Sequence, residues 1–317
     1  MEKDNKDKAP FKGKLGNYSY VETSDGSLTL HSDFFDENFH NLKGAYEETL
    51  YTYINGSKLS RMFESETYHP ICFSLLEVGF GMGLGLYALD RFLSEENTSK
   101  LKSHVQLNFI SFEIDRELIH WQRENEQKNE NLYSPSLIPT LAHWQNKTFK
   151  IHLEEFEYLE ISVNLSEKVS FTGILLLGDG RKVLPAWMKH CEAINLPWPK
   201  FQAVFQDAFS PKKNPDLWTV EWFTDILKHS SNDVILSTYS SATAIRRSLY
   251  EANWCIYHQK GFAHKKSMTI ATANEKILGM MEPDLKNKIQ NTPIAAYRDR
   301  DQKDFMNQRD QKIQENS

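Results

Sequence analysis

Cysteine is scarce: Cys72, Cys191 and Cys255 are the only three in 317 residues, and they form no Cys-x-x-Cys pair. A disulfide framework is therefore not expected, and reduced thiols in a cytoplasmic setting are. Long apolar runs are missing too, since none approaches the roughly 20 residues that span a bilayer. The opening stretch MEKDNKDKAPFKGK is too polar for the apolar region of a signal peptide. The eleven histidines show no metal-ligand spacing, so no metal is expected. No Gly-x-Ser-x-Gly elbow or cysteine–histidine pairing points to covalent catalysis. A basic excess is also absent. The net charge of -6 excludes a uniformly basic nucleic-acid binder but leaves room for a local basic patch.

What is present reads as a soluble globular chain, with 40% hydrophobic and 25% charged residues and enough length for one large or two modest domains. Residues 1–14 and 298–317 are charge-dense and poor in apolar side chains, and read as flexible or partly helical polar tails. Residues 15–69 contain alternating patches such as SLTLH and turn signals at Asp25-Gly26 and Asn55-Gly56, which predict a small β-containing N-terminal lobe. From residue 70 to 297 the pattern changes to short apolar runs separated by helical stretches. ICFSLLEV, VQLNFISF, GILLLG, FQAVF and DVILST fit buried parallel strands, and LYALDRFL and AIRRSLYEA fit helices between them. WCIYHQ and SMTIATA predict a hairpin at one sheet edge. The fold class expected is α/β, a doubly wound Rossmann-like sheet with an antiparallel last strand.

Directly after the first strand comes LLEVGFGMGLG, with Gly79, Gly81, Gly83 and Gly85 leading into a helix. A glycine-rich strand-to-helix turn is common, and an ordinary turn is one reading of it. The dinucleotide fingerprint G-x-G-x-x-G would need a glycine at 84, where this chain has Leu84. It has instead Glu77 two residues before the first glycine, a pattern like the S-adenosylmethionine site of doubly wound methyltransferases. A ligand with a sulfonium, an amino group and no pyrophosphate tolerates an acid there. Two further acids end strands: Glu113 in FEID suits a ribose diol, and Asp179 in LLLGDG suits an adenine amino group. Either alone reads equally well as a solvated carboxylate at a strand end.

LLEVGFGMGLG, FEIDRE, LLLGDGRKVLP, QDAFSPKKNPDLW, STYSSATAIRRSLYEANW and KGFAHKKSMTIATA occur in an order that resembles the methyltransferase domain of the bacterial tRNA 5-methylaminomethyl-2-thiouridine enzymes, the MnmC-like family. The resemblance covers roughly residues 15 to 299, and D-x-F-x-P-x-x-N-P-x-x-W is its most specific element. It is to the version without a flavin-dependent oxidase domain, so the aminomethyl precursor would arrive by another route. Gln206, Ala208 and Ser267 depart from the family's usual residues.

The resemblance implies S-adenosyl-L-methionine as cofactor, held by Glu77, Gly79, Gly81, Gly83, Glu113, Asp179 and Asp207. It implies methylation of an aminomethyl uridine at the wobble position of the tRNA anticodon. Asp207, Phe209 and Asn214 are then the catalytic candidates: Asp207 orients the amine and takes its proton, Phe209 stacks on the base or excludes water, and Asn214 bonds the uracil edge. Lys212, Lys213, Trp218, Arg246, Arg247, Lys265 and Lys266 are expected on the tRNA side, with Trp218 equally readable as a packing residue. Three other readings stay open: a small-molecule amine methyltransferase, a nicotinamide-dependent oxidoreductase and a non-catalytic RNA-binding protein.

Overall fold

A computed structural model describes residues 11–23, 28–40, 44–61, 72–101, 103–127, 136–263 and 266–316. Four short strands, β1 (Phe11–Lys12), β2 (Asn17–Glu22), β3 (Leu28–Ser32) and β4 (Glu37–Asn38), pair in sequence order as an antiparallel sheet. Helix α1 (Ala45–Thr49) follows and widens into a π-helical turn, Leu50–Asn55. The main unit contains β5 (Cys72–Val78), α2 (Leu84–Phe92), α3 (Glu95–Ser99), β6 (Val105–Glu113), α4 (Arg116–Gln127), β7 (Gln145–Ile151), β8 (Glu154–Ser166), β9 (Val169–Leu177) and α5 (Gly180–Ala193). It continues with β10 (Phe201–Gln206), α6 (Val220–Lys228), β11 (Ser230–Thr238), α7 (Thr243–Glu251), β12 (Cys255–Gln259), β13 (Met268–Thr272), α8 (Pro283–Asn291) and α9 (Lys303–Glu315).

Strands β5 to β13 form one sheet in the order β12-β13-β11-β10-β5-β6-β9-β8-β7. The five apolar runs are its parallel centre, β11-β10-β5-β6-β9. They are nearly continuous in hydrophobicity because both faces are covered. On β5, Phe73 and Leu75 pack with Phe109 and Phe205 on one face, while Leu76 and Val78 pack with Ile110 and Val204 on the other. Burying each such side chain contributes about 1.5–3 kcal/mol, against about 0–1 for an exposed ion pair, so this two-faced core dominates.

The hairpin at the β12–β13 edge has the predicted antiparallel pairing. The opposite edge holds a hairpin that the sequence reading did not separate from its surroundings, β7–β8, antiparallel to each other and to β9. Asn55-Gly56 closes the π-helical turn rather than a β-hairpin, and Asp25-Gly26 lies outside the described residues. Residues 298–317 were expected as a polar tail, and most of them form α9. A polar anchor holds it: Arg309 is only 3% exposed and pairs with Asp179 and Asp216. Among the described residues, no helix is long and apolar enough to cross a membrane.

After β5 the chain builds outward through β6 and β9, then returns to lay β10 against the other side of β5. The carboxyl ends of β5 and β10 therefore flank the topological switch point, where open α/β sheets hold their ligands.

Candidate active site

Short backbone links bring the strand ends together. Asp207 N–H donates to Val78 O at 3.1 Å, Phe80 N–H to Phe112 O at 3.0 Å, and Gly178 N–H to Glu113 O at 2.8 Å. The turn after β5 needs glycine for two reasons. Gly79 has φ 88°, a backbone conformation that a residue with a side chain adopts only under strain. Gly85 has ordinary torsions, but a β-carbon would overlap the Glu77 carboxylate, which tucks under the first turn of α2.

A cavity of about 430 Å³ opens above these strand ends. Its wall includes Gly79, Gly81, Glu113, Asp179, Asp207 and Asn214, six of the seven sequence candidates that converge there. Phe209 lines it as well. Glu113 is fixed by the N–H groups of Gly81 and Asp115, each at 3.0 Å. Burial nonetheless pushes its carboxyl up to about 7. Glu77 and Gly83 are not among the described lining residues. Glu77 lies beneath the turn, 1% exposed, its carboxyl held well above the ordinary range by burial and then by Asp207. Its carboxylate supports the turn from beneath, against Gly85.

Asp179 is already engaged. It caps α5 by accepting from Arg181 N–H and it accepts from Arg309 at 2.6 Å. Asn214 is buried in the wall, and its Oδ1 has no donor from the protein.

The loop QDAFSPKKNPDLW is clasped by the N-terminal lobe. Phe209 stacks on Phe35 at 4.4 Å and meets Phe39 edge-on at 4.9 Å. Ser210 N–H donates to Glu37, and Lys213 pairs with Asp36 at 2.7 Å. Lys212 stays exposed, as does Lys266, while Lys265 lies outside the described residues. Gln206, one of the departures, ties the loop's ends: its Nε2 donates to Leu217 O and its Oε1 accepts from Trp222.

Three expected tRNA contacts are corrected. Trp218 is fully buried among α6 and the sheet, and its indole N–H donates to Phe209 O at 2.9 Å, so it braces the loop from behind. Arg246 is 8% exposed and donates to Thr269, Ser267 and Met268 on the β13 side. Arg247 donates to the carbonyls of Ile289, Gln290 and Thr292, satisfying the carboxyl end of α8, and pairs with Glu251. A helix end exposes unpaired carbonyls, and a guanidinium fork meets several at once.

Among the lining residues that sequence reasoning missed are Tyr53 and Glu48 from the α1 segment, Tyr239 after β11, and Arg309 on α9. Tyr53 donates its hydroxyl to Asp207 Oδ1, and Tyr239 donates to Ala208 O at 2.9 Å. The sequence assigned none of them a role, because each reaches the cavity only through the fold.

Residues 139–274 match the model of a family described as S-adenosyl-L-methionine-dependent methyltransferase. Over that segment the chain is similar to this methyltransferase family. The match contains Asp179, Asp207 and Asn214, while the glycine turn and Glu113 precede it. Two curated relatives are named tRNA 5-methylaminomethyl-2-thiouridine biosynthesis bifunctional protein MnmC, from Leptospira borgpetersenii serovar Hardjo-bovis strains JB197 and L550. Each is 29% identical over 252 residues, which is 76% of this chain and 33% of the relative. The chain thus spans about a third of the length of these relatives. The crystal structure of MNMC2 from Aquifex aeolicus superposes with a TM-score of 0.61 at 24% identity, covering 94% of this chain and 85% of that one, and shares the methyltransferase fold.

Proposed function

We propose that the methyltransferase domain transfers a methyl group from S-adenosyl-L-methionine to the exocyclic amine of a 5-aminomethyl uridine, 2-thiolated or not, at the wobble position of tRNA. The observation that carries this reading is the facing of the Gly79–Gly81 turn and Glu113 against Asp207 across one cavity at the switch point. The two Leptospira relatives, whose name refers to this nucleoside, support the choice of substrate.

The residues fit the cofactor. The cavity has the volume of an ordinary small-molecule site. Glu113 offers a fixed carboxylate to a ribose diol, Gly79 and Gly81 let the backbone approach closely, and Asn214 Oδ1 offers a buried acceptor to an N–H donor. Carboxylates from Glu37, Glu48, Glu113, Asp179 and Asp207 line the wall, with Arg309 committed to Asp179 and Asp216. An acidic cavity favours cations, which suits both a sulfonium and an aminomethyl group. When bound, the cofactor supplies an electrophilic methyl on its positively charged sulfur. Asp207 orients the amine and takes its proton; holding the reactants in line is worth about 7–11 kcal/mol. Phe209, clamped by Phe35 and Phe39, keeps water from that side.

Incubation with methyl-labelled cofactor and tRNA from cells that cannot complete the wobble modification, followed by nucleoside analysis, tests the proposal. Label in 5-methylaminomethyl uridine is expected. Label only in a free amine would favour a small-molecule methyltransferase, a reading supported by Arg246 and Arg247 being occupied inside the fold.

Cofactor binding should depend on pH through Glu113. The free protein holds this carboxyl half-protonated near pH 7, whereas the diol and the positive charges require the carboxylate. Affinity should therefore fall about tenfold per pH unit below 7 and level off above it, with a proton released on binding. Calorimetric titrations between pH 6 and 8 measure this. Glu113→Gln should bind more weakly and lose the pH dependence.

A further inference from the structure

We infer that Tyr53 is a positioning residue for methyl transfer, fixing one oxygen of the Asp207 carboxylate so that the other faces the acceptor amine. The inference rests on the function proposed above and extends it to a residue to which the sequence assigned no role.

Three observations carry it. First, the Tyr53 hydroxyl donates to Asp207 Oδ1, and both side chains line the cavity. Second, Tyr53 has little freedom. It is 3% exposed, and its ring lies 5.5 Å from that of Phe205, on the strand that ends at Asp207. The turn that carries it is pinned at the two residues before Tyr53: Ser237 Oγ donates to Thr52 O, and the Tyr51 hydroxyl donates to Lys260 O at 2.9 Å. That turn is π-helical, Leu50–Asn55, a conformation found mostly as single wide turns and often at functional sites. Third, the surroundings call for a neutral donor. The carboxylates that bear on Tyr53 and Tyr239 are Asp207, Glu37 and Glu48, and those on Glu77 are Asp207 and Glu113. They come from the N-terminal lobe, α1, β6 and the end of β10, and the other described groups that bear on these side chains, Tyr239 on Tyr53 and Ser111 on Glu77, carry hydroxyls. A cationic donor on Asp207 would cancel the charge that receives the amine, and a hydroxyl does not.

In the reaction the amine nitrogen forms its bond to the methyl carbon as the S–CH3 bond breaks, and that bond's electron pair stays on sulfur. The proton shed by nitrogen passes to the other oxygen of Asp207. Tyr53 keeps its own proton, consistent with a hydroxyl held well above its ordinary range, first by burial and then by Asp207.

Tyr53→Phe preserves the ring and removes only the donor. Wild type and variant are compared in turnover on the undermodified tRNA, in cofactor binding by calorimetry, and in the pH profile of kcat, with thermal unfolding as a check on folding. A hydrogen bond to a charged group of this kind supports about a 10- to 100-fold fall in kcat. Cofactor Kd should be unchanged, and the acid limb of the profile should move up by about one pH unit, because the carboxylate has lost a donor. An unchanged kcat and acid limb would overturn the role of Tyr53 alone. A parallel loss of cofactor binding or of the fold would overturn it as well, by making Tyr53 structural. Wild-type protein that labels no tRNA would bring down the functional reading, and the inference with it.

Discussion

Asp207→Asn is expected to lower kcat by about 10²–10⁴-fold while leaving cofactor affinity largely intact. The amide matches the carboxylate in size, and its oxygen can still accept from Tyr53, so the loop geometry survives. What disappears is the proton acceptor. The amine must be neutral to attack, and in a cavity walled by Glu37, Glu48 and Glu113 a cationic amine is bound readily but unreactively. Asp207 separates binding from chemistry. The substrate's KM should therefore change much less than kcat, a split that steady-state kinetics on the undermodified tRNA resolves. Asp207 also touches the cofactor's side, because its N–H donates to Val78 O beside the glycine turn. A collapse of cofactor affinity in the variant would show that its carboxylate serves the cofactor and not the amine.

The parts of the molecule legible in sequence are those whose physics is local. The parallel strands could be read because burial on two faces forces a continuous apolar run, as in Phe73 to Val78 and Phe201 to Phe205. The glycine turn could be read because Gly79 needs a positive φ and Gly85 must make room for Glu77. Contacts between distant segments leave no such trace. Tyr53 and Asp207 are 154 residues apart and meet through a π-helical turn that no periodicity announces. Arginines were misread for a related reason. In sequence, Arg246 and Arg247 look like a basic patch beside the active edge, yet a guanidinium can satisfy inward-facing hydroxyls or a helix's last carbonyls equally well. β7 and β8 were hidden because most of their residues are exposed or half-buried, without the apolar density of the central strands.

The N-terminal lobe gives the loop QDAFSPKKNPDLW its opposing surface. Glu37, Asp36 and Phe35 hold it from one side, and Trp218 braces it from the core. The lobe thus completes the site in addition to preceding the sheet. Two proline residues and three separate clasps leave Asp207 and Asn214 on a stiff segment, as positioning catalysis requires.

Arg309→Met should cost about 3–5 kcal/mol of stability near pH 8, more than any exposed ion pair in the molecule would. Arg309 compensates Asp216, which is 0% exposed, together with Asp179 in the cavity wall. Methionine keeps much of the side chain's volume, so the loss reports the two abandoned carboxylates more than a void. The sign of its pH dependence follows from Asp216. Burial raises that carboxyl, and Arg309 is the largest influence opposing the rise. In the variant the folded-state value climbs further above the unfolded one. The folded variant then takes up a proton that the unfolded chain releases, and its stability is lost as pH rises through the folded value. The gap to wild type should accordingly narrow as pH falls and the carboxyl becomes neutral. Denaturant unfolding at two pH values measures this. Adding Asp216→Asn to Arg309→Met should recover part of the loss at pH 8, because the charge left without a partner is gone. Equal losses at both pH values, or no recovery in the double variant, would mean that α9 is held by its packing and not by this buried ion pair.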